Sequence, residues 1–254
     1  MLRSSCVLMA LLWQKHLGGD LYQVRSHGAS VRLYSNGVLH SQWNPRDPLK
    51  GSLWELMLLP VFFLPSQQIR SILMLGVGGG ALILLLQRFL DPTEIIGVDI
   101  DKMHLHIARR YFGVSGVQLV HDDAVRFVDC LSRSPRRFDL VIDDLFGHGR
   151  GEPERSVAAD LSWCKRLLGL TEVHGLLVAN FGSRRQLLAS GWRQKPLRDQ
   201  LKGSWSAELP GYENSVIAVS RQPLSIHHLK QRAPAAINPA NPARRLTGLL
   251  RRLR

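Results

Sequence analysis

An α/β fold on a mostly parallel sheet follows from three features of this sequence. Between Ile72 and Phe181, apolar runs rich in β-branched residues alternate with runs of helical character. The first of these, Ile72-Leu-Met-Leu75, opens into Gly76-Val-Gly-Gly-Gly80 and then an apolar helical stretch from Ala81 to Leu90. The second, Glu94-Ile-Ile-Gly-Val-Asp99, ends on an acid 23 residues after Gly76. A buried strand, a glycine turn and a helix start together form a nucleotide-binding βα unit. Glycine lets the backbone come close to a ligand, and the first turn of a helix offers unpaired N–H groups. An acid at the end of the next strand is placed to accept from ribose hydroxyls.

Each element can be justified in order. Cys6 to Trp13, followed by Gln14-Lys-His16, reads as a short helix with a polar end. Asp20–Arg25 and Ser30–Ser35 alternate polar and apolar residues around His27-Gly28, the signature of a hairpin, and Asn36-Gly37 supplies a second turn before Val38-Leu39-His40. Leu53 to Phe63 is apolar on nearly every face and reads as a buried helix ending near Pro60 or Pro65. Strands are expected at 72–76, 94–99, 117–120, 138–143 and 175–181, with helices at about 79–90, 101–112, 123–132 and 154–168. Apolar strands joined by helices imply a sheet covered on both faces. Ser204–Leu209 and Ser215–Ser220, turned at Pro210-Gly211, read as a closing antiparallel pair. The expected units are therefore an N-terminal helix or extension (1–19), a small β-domain plus helix (20–66), the nucleoside-binding domain (67–221) and a flexible tail (222–254).

Composition narrows the function classes. With 254 residues the chain can bury a full core, and 45% apolar residues suit an ordinary globular protein. Three scattered cysteines, Cys6, Cys130 and Cys164, imply neither a disulfide framework nor a zinc site, which points to a reducing, cytoplasmic setting. No apolar run reaches bilayer length. His104 and His106 are two apart on a helix and face different ways, so no metal pair is expected there. Of the formal charge of +13, residues 222–254 carry seven Lys/Arg and no acid, leaving +6 for the rest. That tail holds Ala-Pro-Ala-Ala-Ile-Asn-Pro-Ala-Asn-Pro, which no regular helix accommodates. It reads as a solvated spacer ending in a basic amphipathic segment from Arg244 to Arg254, dispensable for the fold. The alternative is a weak contact with nucleic acid or another acidic surface.

In an open α/β sheet, ligands sit beyond the carboxyl ends of the strands. Those ends deliver Gly76, Gly78, Gly79 and Gly80, then Asp99 and Asp101, then His121-Asp122-Asp123, then Asp143-Asp144. A basic chain that gathers acids at one edge suits a ligand bearing positive charge, hydroxyls and an exocyclic amine. S-adenosylmethionine and its decarboxylated form fit, with Asp99 on the ribose and Asp123 on the adenine amine. Gly76-x-Gly78-x-x-Ala81 also satisfies a relaxed dinucleotide fingerprint, but the Asp122-Asp123 turn would crowd a pyrophosphate. Asp101 precedes a helix and reads as its cap. The loop Gly147-His-Gly-Arg-Gly151 reads as a plain loop, with His148 as an element of a possible lid over the site.

These residues resemble the spermidine synthase-like aminopropyltransferases, a branch of the class I S-adenosylmethionine-dependent methyltransferase fold. The resemblance runs from about Tyr34 to Arg221. It is carried by Leu75-Gly-Val-Gly-Gly-Gly80, Val98-Asp-Ile-Asp101, Arg110-Tyr-Phe112, Asp122-Asp-Ala124 and Phe138-Asp-Leu-Val-Ile-Asp-Asp144. It implies a Rossmann-like sheet behind a small β-domain, a homodimer, and aminopropyl transfer from decarboxylated S-adenosylmethionine to a putrescine-like amine without a metal. Carried over, Gly76 and Gly78 line the nucleoside pocket, Asp99 holds the ribose and Asp123 the adenine. Asp144 is the acid that orients and deprotonates the amine, and Glu55 and His40 lie on the substrate side. The sequence departs from the family on that side. Gly147 stands where a second acid is usual, Leu53-Trp54-Glu55 replaces Tyr-His-Glu, and His40 replaces a glutamine. Methyl transfer from S-adenosylmethionine, or nucleoside binding without catalysis, are the alternative readings.

Overall fold

The computed structural model describes residues 9–147 and 154–253. Strands β1 (Met9–Leu17), β2 (Asp20–His27), β3 (Ser30–Ser35) and β4 (Val38–Trp43) form an antiparallel meander in chain order. Asn36 and Gly37 both take positive φ, 50° and 83°, the left-handed pair that a two-residue hairpin turn demands. The helix expected near the N-terminus is corrected: from Met9 onward the chain is an edge strand paired with β2. The Gly18-Gly19 turn, also at positive φ, folds it back. Tyr22, Val24 and Leu33 face inward and are buried in the main core.

Helix α1 (Leu53–Leu58) passes directly into a tighter 3₁₀ turn over Leu59–Phe63, where Pro60 sits in the first turn. Both pieces are buried, as the all-round apolar pattern implies. The main unit then alternates: β5 (Ser71–Leu75), α2 (Ala81–Phe89), β6 (Glu94–Asp99), α3 (Lys102–Ile107), β7 (Gln118–His121), α4 (Ala124–Ser132) and β8 (Phe138–Asp143). A short ribbon of β9 (Phe146–Gly147) and β10 (Glu154–Arg155) follows, then α5 (Leu161–Leu170), β11 (Thr171–Phe181), α6 (Arg184–Ala189) and α7 (Lys195–Arg198). Helix α5 starts later than the expected residue 154, because Asp160 caps it by accepting from the Trp163 N–H at 2.8 Å. Strands β12 (Gly203–Glu208) and β13 (Ser215–Ser220) pair antiparallel.

These strands join one eight-stranded sheet, completed by a last strand, with β11, β8, β5, β6 and β7 adjacent and parallel. The chain begins this run at β5, moves outward through β6 and β7, and then returns to the other side of β5 for β8. The reversal opens a crevice at the carboxyl ends of β5 and β8, the place where such sheets hold ligands. One core lies between the sheet, the N-terminal meander and α1; a second lies on the other face under α4, α5 and α7.

The segment after residue 221 is not a spacer. Helix α8 (Ile226–Arg232) packs Leu229 into the first core, joined by Ala233, Ile237 and Leu246, and β14 (Leu249–Arg252) pairs with β12 as the edge of the large sheet. Basic residues pin it: Arg232 donates to the Phe63 carbonyl at 2.6 Å, and Arg245 meets Asp47 at 2.5 Å. The prolines break the helix, as read from the sequence, but the apolar residues between them are core. His148 with its glycine-rich loop, and Cys6, lie outside the described residues; Cys130 and Cys164 are free thiols. Among the described residues no helix is long and apolar enough to cross a membrane, and no cluster of His, Cys, Asp and Glu is arranged to hold a metal ion.

Candidate active site

The glycine turn after β5 is shaped by its neighbours before any ligand is considered. Gly76 sits at φ +86°, and a Cβ there would come within 2.1 Å of the Asp144 carbonyl. The chain leaving β8 therefore crosses directly over the turn, fastened by Asp144 N–H to the Leu75 carbonyl at 2.9 Å. Gly78, at φ +53°, leaves room for the end of β4, and Gly79 N–H donates to Ser41 Oγ at 2.7 Å. The small β-domain is thus latched to the turn.

Asp99 closes the other side. Its Oδ2 accepts from the Val77 and Gly78 N–H groups, both at 2.9 Å, and its Oδ1 accepts from Asp101 N–H at 2.8 Å. Burial alone would raise this carboxyl, but His104 and the backbone donors hold it below the usual carboxylate range. An ionised carboxylate has about four acceptor positions, so one position, on Oδ1, remains for a hydroxyl. His104 is its companion, with Nδ1 3.8 Å from Asp99 Oδ2. Burial works against its charge, yet Asp99 and Asp101 raise its pKa above the ordinary imidazole value. Its Nε2 lies 2.9 Å from Ser35 Oγ, and its ring is 4.8 Å from that of His40. Asp101 caps α3 through Met103 N–H at 2.7 Å and accepts from Tyr22 Oη at 2.8 Å, which ties α3 to β2.

Asp143 and Asp144 point to opposite faces of the sheet, as successive residues leaving a strand do. Asp143 is fully buried against Arg155 and accepts from Trp163 Nε1 at 3.0 Å, and so is spent on the second core. Asp144 faces the crevice. Asn180, at the end of β11, donates to its Oδ1 at 2.9 Å, and Asn214 donates in turn to Asn180 Oδ1 at 3.2 Å. Burial, with a further contribution from the Asp143 charge, outweighs the Asn180 hydrogen bond and lifts the Asp144 carboxyl to about 6.

That cavity, of about 390 Å³, lies in the range of roughly 300–1,000 Å³ for small-molecule sites. Gly76, Gly78, Asp99, Asp144 and His40 all line it, so five of the seven residues singled out from the sequence converge. Two do not. Glu55 is turned back on its own helix, accepting from Lys50 N–H at 3.1 Å and from the Ser52 N–H and hydroxyl in a capping box. Asp123 caps α4, accepting from Val125 and Arg126 N–H at 2.7 and 3.1 Å, and is exposed outside the cavity wall. In both cases the orphan donors of a helix start claim the acid.

Comparison with known proteins agrees with this geometry. A family model described as a methyltransferase domain matches residues 72–167. Over 79 residues the chain is 32% identical to the eEF1A lysine and N-terminal methyltransferase homologs of Drosophila pseudoobscura pseudoobscura and Drosophila melanogaster. That match covers 30% of this chain and 12% of each relative. Among solved structures, a probable spermidine synthase from Corynebacterium glutamicum ATCC 13032 superposes with a TM-score of 0.72 at 14% identity, covering 94% of this chain and 90% of the other. Spermidine synthase from Thermotoga maritima gives 0.64 at 13%, covering 91% and 78%. Human methyltransferase-like protein 13 in complex with SAH gives 0.59 at 17%, covering 70% and 87%. The fold is the spermidine synthase-like class I methyltransferase fold. The domain match and these neighbours together support a transferase.

Several residues of the site were not legible beforehand. Asn180, Asn214, Phe146, Tyr212 and Trp54 line the cavity with Asp144, and His104 backs Asp99. Two of them left a trace: Trp54, in the Leu53-Trp54-Glu55 segment read on the substrate side, and His104, three residues after Asp101 on the helix that follows β6. The asparagines come from β11 and from the turn before β13, distant segments whose meeting depends on the antiparallel return of β13.

Proposed function

We propose that this protein transfers a carbon group from a sulfonium nucleoside to an amine nitrogen, as aminopropyl transfer from decarboxylated S-adenosylmethionine. The observation that carries the reading is Asp144: a half-buried carboxyl lining the same cavity as Asp99 and held at one oxygen by Asn180. A protonated amine has no lone pair with which to attack. A carboxylate with a pKa of about 6 is largely ionised at neutral pH, so it can hold the ammonium and accept its proton. On this reading Gly76 and Gly78 give the nucleoside a close approach and Asp99 takes a ribose hydroxyl, while His40 flanks the acceptor side. Holding both reactants in one enclosed space supplies much of the remaining rate. The full-length superposition on spermidine synthases, one of them in complex with the transition state analogue AdoDATO, supports the choice of group.

Methyl transfer from intact S-adenosylmethionine is the second reading. It is favoured by the methyltransferase-domain match and by the names of the curated relatives. Chromatography of products from purified protein separates the two. With decarboxylated donor and an amine, aminopropyl transfer yields methylthioadenosine; with intact donor, methyl transfer yields S-adenosylhomocysteine. Asp144→Asn should abolish either activity while retaining nucleoside affinity. Turnover unchanged in that variant would refute the role given to Asp144.

A further inference from the structure

We infer that the acceptor is an amine with a single positive charge and an apolar or aromatic body, in preference to a diamine of the putrescine type. The inference rests on the amine-transferase reading of the cavity. Beyond Asp144, Asn180, Asn214 and His40, the wall includes Leu39, Leu53, Trp54, Phe146 and Tyr212. Leu39 and Tyr212 are 40% and 45% exposed and form the rim, so the apolar surface continues from Asp144 out to solvent. An ammonium on Asp144 would have its carbon body running along this wall, where aromatic faces favour both the hydrocarbon and the cation beside it.

The cavity lining offers the acceptor, among the described residues, one uncommitted carboxylate, Asp144. Among the described residues, the lining carboxylates are Asp99 and Asp144. Asp99 is committed to the glycine turn, where it accepts from the Val77, Gly78 and Asp101 N–H groups, and His104 lies 3.8 Å from it. The neighbouring acids are spent elsewhere. Glu55 caps α1, Asp143 pairs with Arg155 on the far face, and Glu208 pairs with Arg184 at 2.5 Å and Arg251 at 3.7 Å. Glu213, between Tyr212 and Asn214, belongs to an adjoining depression that it shares with Arg184 and is not itself a lining residue of the cavity. A second ammonium on the acceptor would therefore lie against hydrocarbon with no further uncommitted carboxylate among the described lining residues, which is unfavourable.

The chemistry balances with one acid. Asp144 takes a proton from the bound ammonium, and the freed nitrogen lone pair attacks the carbon next to sulfur. The N–C bond forms as the C–S bond breaks, and the electron pair of that bond stays on sulfur. The donor leaves as a neutral thioether, its positive charge passes to the new secondary ammonium, and Asp144 returns its proton to solvent.

The test offers purified protein phenethylamine, hexylamine, putrescine and spermidine, each with decarboxylated and with intact S-adenosylmethionine, and both nucleoside and amine products are quantified. The expected result is a kcat/KM for the monoamines on the order of 100-fold above that for putrescine, the scale on which an apolar pocket discriminates. Tyr212→Glu, at the exposed rim, should shift the preference toward putrescine by about 10-fold, a change on the same scale. Putrescine or spermidine used as well as the monoamines would overturn the inference and leave the aminopropyl reading standing. Monoamines modified only with the intact donor would uphold the inference and remove the aminopropyl reading. No modification of a monoamine with either donor would overturn the inference.

Discussion

Asp144→Asn should make the protein more stable, and more so as the pH rises. The folded Asp144 titrates at about 6 against an ordinary value of 3.8, so the native state binds its proton more tightly than the unfolded chain does. The stability tied to that proton is complete below the unfolded value and is lost as the pH rises through the folded one. With a difference of about two units, the ionised group costs the native state about 3 kcal/mol at pH 8 and about 1.6 kcal/mol at pH 5. An asparagine can still accept the Asn180 hydrogen bond through its carbonyl, and it carries no charge to desolvate. Urea unfolding of wild type and variant at pH 5, 6.5 and 8 should therefore give a stability gap that widens by about 1.4 kcal/mol across the range. A gap that does not change with pH would mean that Asp144 titrates like an exposed acid, and the cost assigned to its burial would be wrong. The same variant should lose turnover, so that stability and activity move in opposite directions at one side chain.

Three further outcomes follow from the geometry. Asp99→Ala removes the acceptor of three backbone N–H groups, so calorimetric titration with S-adenosylhomocysteine or methylthioadenosine should show no measurable binding; affinity at the wild-type level would displace the nucleoside site from Asp99. Leu246→Ala, at a residue 1% exposed, should cost about 2–5 kcal/mol by urea unfolding, and ending the chain at residue 221 should abolish cooperative unfolding. A truncated protein with an unchanged midpoint would show that the tail adds nothing to the core. Glu55→Gln should lower the melting temperature, through loss of about 1.5–3 kcal/mol from charge-assisted capping, and leave the acceptor KM unchanged. A raised KM at unaltered stability would return Glu55 to the substrate side.

The sequence announces those parts of the fold whose signal is local. Gly76 to Gly80, Asp99 and the apolar strands carry their roles in neighbouring residues, and the β5–α2–β6 unit forms as the pattern implies. Asp99, Asp144 and the glycines meet because strand ends converge in any sheet of this kind. The misreadings share a different physics. Glu55 and Asp123 are acids at helix starts, where backbone N–H groups compete for the same oxygens, and sequence alone does not show which partner wins. Residues 222–254 look solvated because their prolines break any regular helix and they hold basic residues without a single acid, while the apolar positions that decide the matter, Leu229, Ile237 and Leu246, are scattered among them. Met9–Leu17 looks like a short helix until its pairing with β2 is known. Asn180 and Asn214 are ordinary until the sheet brings them beside Asp144.

The opposed faces of Asp143 and Asp144 make the chemistry a matter of parity. Two identical side chains, adjacent in the chain, have become a salt-bridged structural ion and a cavity-lining carboxylate because one ends β8 and the other takes the next, opposite-facing step. Inserting or deleting one residue between Phe138 and Asp143 would exchange their surroundings. Arg155 and Trp163 would then face the residue meant for catalysis, and the crevice would receive the one meant for the core. Drift in the length of this strand is therefore forbidden even where every side chain in it could be replaced, and the spacing from Phe138 to Asp144 should tolerate substitution far better than a change of length.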